Sequence, residues 1–401
     1  MIAIEDTHTT APYLTQLPHA DEYRAEGMDL THTRFFRAAA SQLPFVLANG
    51  ESLGTLTMAY ETWGALNAAG DNAVLVLHAL TGSAHAAAHA DSDDIVTEPW
   101  WAPVIGPGRA IDTNRYFVIC PNILGGCYGS TGPLSHDPAT GAAYRASFPV
   151  VTVQDMVRAQ ALLLDHLGVT RLHAAIGGSL GGMQALAWGV TYPERVGAVV
   201  CVGASGQFHA QGIAYNEVGR RAIMADPKWQ GGNYDPADPP RDGFSIARMV
   251  GMITYLCDEG MTARFGRNAA TRPSRHHAFG GKFDVEGYLH YQGDGIVRRF
   301  DANSYLYLTR AMDLFDLGMG QDGYTDALRR LAMPTLLVGI SSDILFPPAH
   351  IRALADELRG LGQPARYREL ISPDGHDAFL KDFDQLAPMI RRFLRDSGTT
   401  T

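Results

Sequence analysis

Short continuous apolar runs, separated by stretches with a helical repeat, organise this chain from about residue 70 onward. Residues 73–80 (AVLVLHAL) and 115–121 (RYFVICP) read as central strands covered on both faces. Further strands are expected at 170–176, 196–202, 331–340 and 365–371, with helices between them at 152–167, 183–190, 348–359 and 378–395. Thr152 with Asp155 three residues on is a capping-box start for the first of these helices. Such alternation predicts a mostly parallel sheet with helices on both faces. Residues 55–63 alternate instead, with Leu56, Met58 and Tyr60 on one side, and read as an antiparallel strand at the sheet edge. Residues 1–40 are polar and irregular and are expected to be an N-terminal extension. Between 210 and 325 no series of buried strands is visible, only helical patches such as 304–315. The expected division is therefore a core of 41–209 and 326–401 with a helical cap insertion at 210–325.

One strand ends in Gly177-Gly178-Ser179-Leu180-Gly181 and is followed at once by an Ala- and Leu-rich helix. G-x-S-x-G between a strand and a helix is the nucleophile-elbow pattern. A serine on so sharp a turn takes a strained backbone, and neighbours lacking Cβ let strand and helix approach. Its hydroxyl then projects beside the positive end of the helix.

A serine nucleophile needs a base, and the base needs an acid to orient it. Asp343 follows the strand ending at Ile340, and His376 follows the strand ending near Ile371. Both fall at the carboxyl ends of strands, the same end as the elbow. The order Ser…Asp…His is that of the α/β-hydrolase fold, here a mostly parallel sheet flanked by helices with a helical cap. The oxyanion hole is assigned to the backbone N–H groups of Leu180, next after the serine, and Leu80, in the loop His78-Ala79-Leu80-Thr81-Gly82.

Composition narrows the partners. A net charge of −10 argues against binding nucleic acid or an anionic membrane surface. With 46% hydrophobic and 18% charged residues the chain reads as globular, and no apolar run nears the roughly 20 residues of a membrane helix. Four scattered cysteines without a C-x-x-C, and no visible signal peptide, point to a reduced, cytoplasmic protein. His85 and His89 have metal-ligand spacing, with Asp91, Asp93 and Asp94 following, yet no further ligand motif accompanies them, so no metal and no resident cofactor is expected. Arg272, Arg275, His276 and His277 form a basic stretch that fits CoA phosphates or an exposed cap surface; Arg310 fits a donor contact or a helix-surface arginine.

At this point the residues resemble a family. HALTGSAH (78–85), GGCYGSTGP (125–133), GGSLGGMQALAW (177–188), NEVGRRAI (216–223), ARMVGMITYL (247–256), RRFDANSYLYLTRAMD (298–313), SDILFPP (342–348) and DGHDAFL (374–380) are similar to homoserine O-acyltransferases of the α/β-hydrolase type, most often homoserine O-acetyltransferases. The resemblance implies that Ser179, Asp343 and His376 are the triad and that Arg248 and Asp377 contact the amino-acid substrate. It also implies acetyl-CoA as co-substrate, L-homoserine as acceptor, an acyl-serine intermediate, a role in methionine biosynthesis and a homodimer built through the insertion. Tyr128 stands where many acetyltransferases of the family carry Gln. Transfer of a succinyl group, or transfer to serine, is accordingly the alternative, with an esterase using the same triad behind it.

Overall fold

The computed structural model describes residues 32–89, 98–268, 279 and 282–397. Eight segments pair into one sheet: β1 (Arg34–Arg37), β2 (Thr57–Trp63), β3 (Ala73–Leu77), β4 (Phe117–Pro121), β5 (Leu172–Gly178), β6 (Val199–Val202), β7 (Thr335–Ile340) and β8 (Ala365–Leu370). Their spatial order is β1-β2-β4-β3-β5-β6-β7-β8. β2 runs antiparallel to β1 and β4, and the remaining pairs are parallel. β3 is buried along its whole length because it lies between β4 and β5 with a core on each side. Leu75 and Leu77 face one core and Val74 and Val76 the other, the period-2 alternation of a strand covered twice.

Helices cover both faces. α1 (Val153–His166) opens with the expected capping box: Thr152 Oγ1 accepts the Asp155 N–H at 3.1 Å, and Asp155 Oδ2 accepts the Thr152 N–H at 2.8 Å. α2 (Leu180–Thr191) starts directly at the elbow. Between β6 and β7 stand α3 (Ala210–Ala225), α4 (Arg241–Tyr255), α5 (Asp258–Phe265), α6 (Asp284–Arg299) and α7 (Ala302–Asp313), followed by α8 (Tyr324–Arg330), which leads into β7. α9 (Pro348–Gly360) and α10 (Phe383–Ser397) complete the chain. No helix among the described residues is long and apolar enough to cross a membrane.

Two expectations need correction. β2 is not the edge strand, because Arg34–Arg37 pairs outside it, from Arg34 opposite Tyr60 to Arg37 opposite Thr57. Four residues bracketed by arginines carry too little pattern to be read as a strand, and they fall in the stretch expected to be irregular. With a strand on each side, Met58, Ala59, Tyr60 and Glu61 are all buried, so the alternation did not mark a wet face. The last helix also starts later than expected. Gly375–Leu380 is a separate 3₁₀ turn, closed where the Asp382 N–H donates to the Ala378 carbonyl, and α10 begins after it.

The elbow glycines mesh with the end of β3. A Cβ on Gly181 would sit 1.9 Å from the Leu77 carbonyl oxygen, and one on Gly177 would sit 2.3 Å from the Gly181 backbone. The backbone itself occupies those positions, so side chains cannot yield. Gly181→Ala is therefore expected to destabilise the fold by about 3 kcal/mol, the upper range for overpacking. Urea unfolding measures it, and an unchanged midpoint would show slack in this turn.

Candidate active site

Ser179 joins β5 to α2 with φ 58° and ψ −128°, a left-handed backbone that costs a non-glycine residue energy. The strained turn is held on one side by its N–H, which donates to the Val202 carbonyl of β6 at 2.9 Å. His376 and Asp343 come from the turns after β8 and β7. His376 Nδ1 donates to Asp343 Oδ2 at 2.6 Å, with both side chains buried. Asp343 Oδ1 accepts the backbone N–H groups of Leu345 and Phe346 at 2.9 and 2.8 Å, which fixes the carboxylate in its loop. Phe346 stacks on the imidazole, with centroids 5.2 Å apart. Gly203, at φ +56°, makes room for the pair: a Cβ there would lie 3.3 Å from His376 Cε1.

With Nδ1 committed to Asp343, His376 Nε2 is buried with no hydrogen-bond partner among the described residues. His376 and Ser179 line one cavity of about 260 Å³, together with Leu80, Arg248 and Asp377. Sequence reasoning thus named five of its lining residues, while Asp343 stands behind His376. Leu180 is the first residue of α2, where helix geometry leaves the N–H without an intrahelical acceptor. The Leu80 N–H makes no hydrogen bond among the described residues.

The charges in the pocket interact. Burial alone would lower the His376 pKa, but the Asp343 charge and hydrogen bond, with a smaller push from Asp377, hold it above 6.5. Burial raises the Asp377 carboxyl, against the pull of Lys381, His376 and Arg248. Lys381 Nζ lies 3.8 Å from Asp377 Oδ2. Arg248 lies over the Tyr255 ring, 5.6 Å from its centroid. His78 is the opposite case, since burial lowers its pKa to about 4. Its Nε2 accepts the Ile123 N–H at 3.2 Å, so the ring proton is on Nδ1, 2.8 Å from the Ala79 carbonyl. A neutral His78 therefore fastens the Leu80 loop to the chain after β4.

Sequence reasoning missed Arg299, Tyr255, Tyr305 and Trp100, which also line the cavity. The first three stood inside quoted motifs, yet nothing in their spacing marked them as pocket residues. Arg310 is exposed on α7 and does not line the cavity. Arg272, Arg275, His276 and His277, and the acids Asp91, Asp93 and Asp94, lie outside the described residues. His85 and His89 stand on a loop, not a helix, and both meet buried Glu61, at 3.1 and 2.9 Å. Glu61 also accepts from Thr33 at 3.1 Å. Burial works to raise the Glu61 pKa, but the two histidines outweigh it and lower it. The ligand atoms of Glu61, His85 and His89 lie within 4.8 Å of one another, the spacing of a group that could hold a metal ion. Glu61 carried no sequence signal because it is one residue of a strand.

A family model described as alpha/beta hydrolase fold matches residues 72–383. The homoserine O-acetyltransferase of Symbiobacterium thermophilum is 54% identical over 92% of this chain and 96% of its own length. That of Moorella thermoacetica is 50% identical, over 92% of this chain and 98% of its own. Among solved structures, a homoserine O-acetyltransferase from Bacillus anthracis superposes with a TM-score of 0.83 at 29% identity, covering 90% of this chain and 97% of that one. Esterase E22 superposes with a TM-score of 0.82 at 30% identity, covering 90% and 99%.

His376 has a direct readout. Its protonated form, stabilised by Asp343, contributes stability that is fully present below an unfolded pKa of about 6.5 and is lost as pH rises through the higher folded pKa. In an imidazole NMR titration the midpoint should lie above 6.5 and fall in Asp343→Asn, where burial loses its main opponent. A midpoint that Asp343→Asn leaves in place would mean that the carboxylate does not govern this histidine.

Proposed function

The chain belongs to the homoserine O-acetyltransferase family of α/β hydrolases, and on that premise we propose that Ser179 carries the acyl group between an acyl-CoA and the hydroxyl of L-homoserine. The enzyme is an acyltransferase, a homoserine O-acetyltransferase of methionine biosynthesis. Ser179 Oγ attacks the thioester carbon while His376 Nε2 takes its proton. The Leu80 and Leu180 N–H groups hold the oxyanion, the C–S bond breaks, and the thiolate leaves with the proton from His376. The homoserine hydroxyl then gives its proton to His376 and attacks the acyl-serine carbon. Collapse of that second oxyanion releases the ester and returns the proton to Ser179.

The observation that carries this reading is the relay itself: Asp343 holds His376 by Nδ1 and leaves Nε2 without a partner among the described residues, in the cavity that Ser179 lines. Arg248 and Asp377 are assigned to the acceptor, the guanidinium to its carboxylate and the carboxylate to its ammonium. The likeness to esterase E22 favours a second reading, transfer to water by the same residues. It is the weaker one, because the acetyltransferase relatives are 54% and 50% identical and because a cation and an anion beside the serine suit an amino acid.

We also propose a homodimer joined through the cap. Its support is a set of exposed apolar side chains: Ile246 and Ile253 one heptad apart on α4, Val218 on α3 and Tyr291 on α6.

Rapid-mixing assays separate the two half-reactions. Wild type mixed with acetyl-CoA alone should release one equivalent of CoA and leave an acetyl group on the Ser179 peptide, read by mass spectrometry. Ser179→Ala should do neither. Arg248→Ala and Asp377→Ala should keep that burst and lose homoserine-dependent turnover, by about 2–5 kcal/mol per lost contact. Slow acylation with normal homoserine saturation in both variants would overturn the acceptor assignment, and CoA release that ignores homoserine would favour the esterase. For the dimer, Ile246→Asp with Ile253→Asp should halve the mass in light scattering after size exclusion, and an unchanged dimer would place the interface elsewhere.

A further inference from the structure

Arg299, the last residue of α6, reaches from the cap down to the loop after β3. Its Nη1 donates to the Thr81 carbonyl at 2.9 Å and to the Tyr128 hydroxyl at 3.2 Å, and its Nη2 lies 3.4 Å from Thr81 Oγ1. The Tyr128 hydroxyl donates in turn to the Arg299 carbonyl at 2.8 Å, so one phenol ties both the guanidinium and the backbone of the same residue. Tyr128 packs edge-on against Phe300, with centroids 5.5 Å apart, which sets the ring in place.

The loop that Arg299 grips is seated in the core by one large side chain, Leu80. Ala79, Thr81 and Gly82 are small, and the turn is closed by one backbone bond, Gly82 N–H to Ala79 at 2.9 Å. Toward the core it is fastened by neutral His78 and by Asn122, whose Oδ1 accepts the Ala84 N–H at 2.7 Å. Toward the cavity, Arg299 is the cap side chain that hydrogen-bonds it, among the described residues. A charge-assisted bond to a carbonyl is roughly twice as strong as a neutral one. The Leu80 N–H makes no hydrogen bond of its own among the described residues; its peptide plane is turned by the Ala79 carbonyl, which accepts from His78 Nδ1 and the Gly82 N–H, and Arg299 acts two residues on, on where the loop sits.

We propose that Arg299 is a positioning residue: by holding the Thr81 carbonyl it fixes where the loop sets the Leu80 N–H relative to the developing oxyanion, and Tyr128 holds Arg299 in turn. The inference rests on Leu80 being an oxyanion donor. It makes the cap a participant in the chemistry, because displacing the end of α6 releases the loop. Misplacement of a reacting group by about 1 Å costs on the order of 10²-fold in rate.

The experiment follows the acylation burst of the full-length enzyme with acetyl-CoA in Arg299→Gln, Arg299→Lys, Tyr128→Phe and the Arg299→Gln/Tyr128→Phe double variant. Arg299→Gln should slow the burst about 10–100-fold, up to the low end of the roughly 10²–10³-fold cost of losing one oxyanion donor outright, because the donor is displaced and not removed. Arg299→Lys should slow it less, since one donor to Thr81 survives. Homoserine saturation and the pH midpoint of the burst, set by His376, should stay at wild-type values. A residue that merely supports the fold would not leave those two untouched while the burst slows. Tyr128→Phe should slow the same step modestly and add nothing to Arg299→Gln, as expected of two groups acting in series. Should Arg299→Gln fail to fold, Tyr128→Phe carries the test, because it removes a single oxygen. Wild-type bursts in Arg299→Lys and Tyr128→Phe would overturn the inference, as would a loss confined to homoserine saturation, which would make Arg299 an acceptor contact. A burst present in wild type and undiminished in the variants sinks this inference while the acyl-serine stands, whereas a wild type without a burst brings down both.

Discussion

The contact between two backbones, at Gly181 and the Leu77 carbonyl, is the constraint on which the rest of the site depends. A parallel sheet can present a serine above its edge only if the strand turns into a helix within a residue or two. That requires the helix to start almost on top of the neighbouring strand. Here β5 and α2 meet at Ser179, whose left-handed backbone is held by packing below and by the bond to Val202 beside it. The strain is local and the surroundings over-determine it, which is how such conformations persist. The same approach brings the loop after β3 next to the start of α2, so the two N–H groups assigned to the oxyanion arise from one packing event.

Electrostatics divide the histidines of this region by their partners. His78 and His376 are both buried, yet their pKa values move in opposite directions. His78 meets only backbone groups, and burial keeps it neutral and fixed as a bridge. His376 meets a carboxylate already anchored by two N–H groups, so the charged form is stabilised in spite of burial. Two buried histidines of the same region are thus told apart by a carboxylate, which one of them has and the other lacks. Glu61 plays a comparable part away from the pocket, as the shared acceptor for His85 and His89.

Helices between β6 and β7 build one wall of the pocket: α4 supplies Arg248 and Tyr255, α6 supplies Arg299, and α7 supplies Tyr305, while Ser179, His376 and the loop after β3 come from turns at the ends of sheet strands. A pocket whose two sides come from separate stretches of chain lets one side vary while the other is kept. This accounts for a likeness in fold that extends equally to an acetyltransferase and an esterase.

Much of this was legible in the chain. The continuous apolar run of β3, the capping box at Thr152 and the glycines around Ser179 are local signals, because burial on both faces, an unpaired helix end and a backbone contact each demand particular residue types. Asp343 and His376 were legible for a related reason: each follows a strand, and strand ends converge on one rim of a parallel sheet. What the chain did not display were relations between segments. β1 is four residues whose meaning comes from the strand beside them. Glu61 is unremarkable until β2 is set against the loop that carries His85 and His89. Arg299 sits in a readable motif, but its reach to Thr81 depends on where α6 ends above β3. Sequence alone determined most of the strands, the elbow and the order of Ser179, Asp343 and His376, because those follow from the chemistry of neighbours along the chain. Only the tertiary structure decided which charges face one another across the pocket, because those distances are set by the packing of elements more than a hundred residues apart.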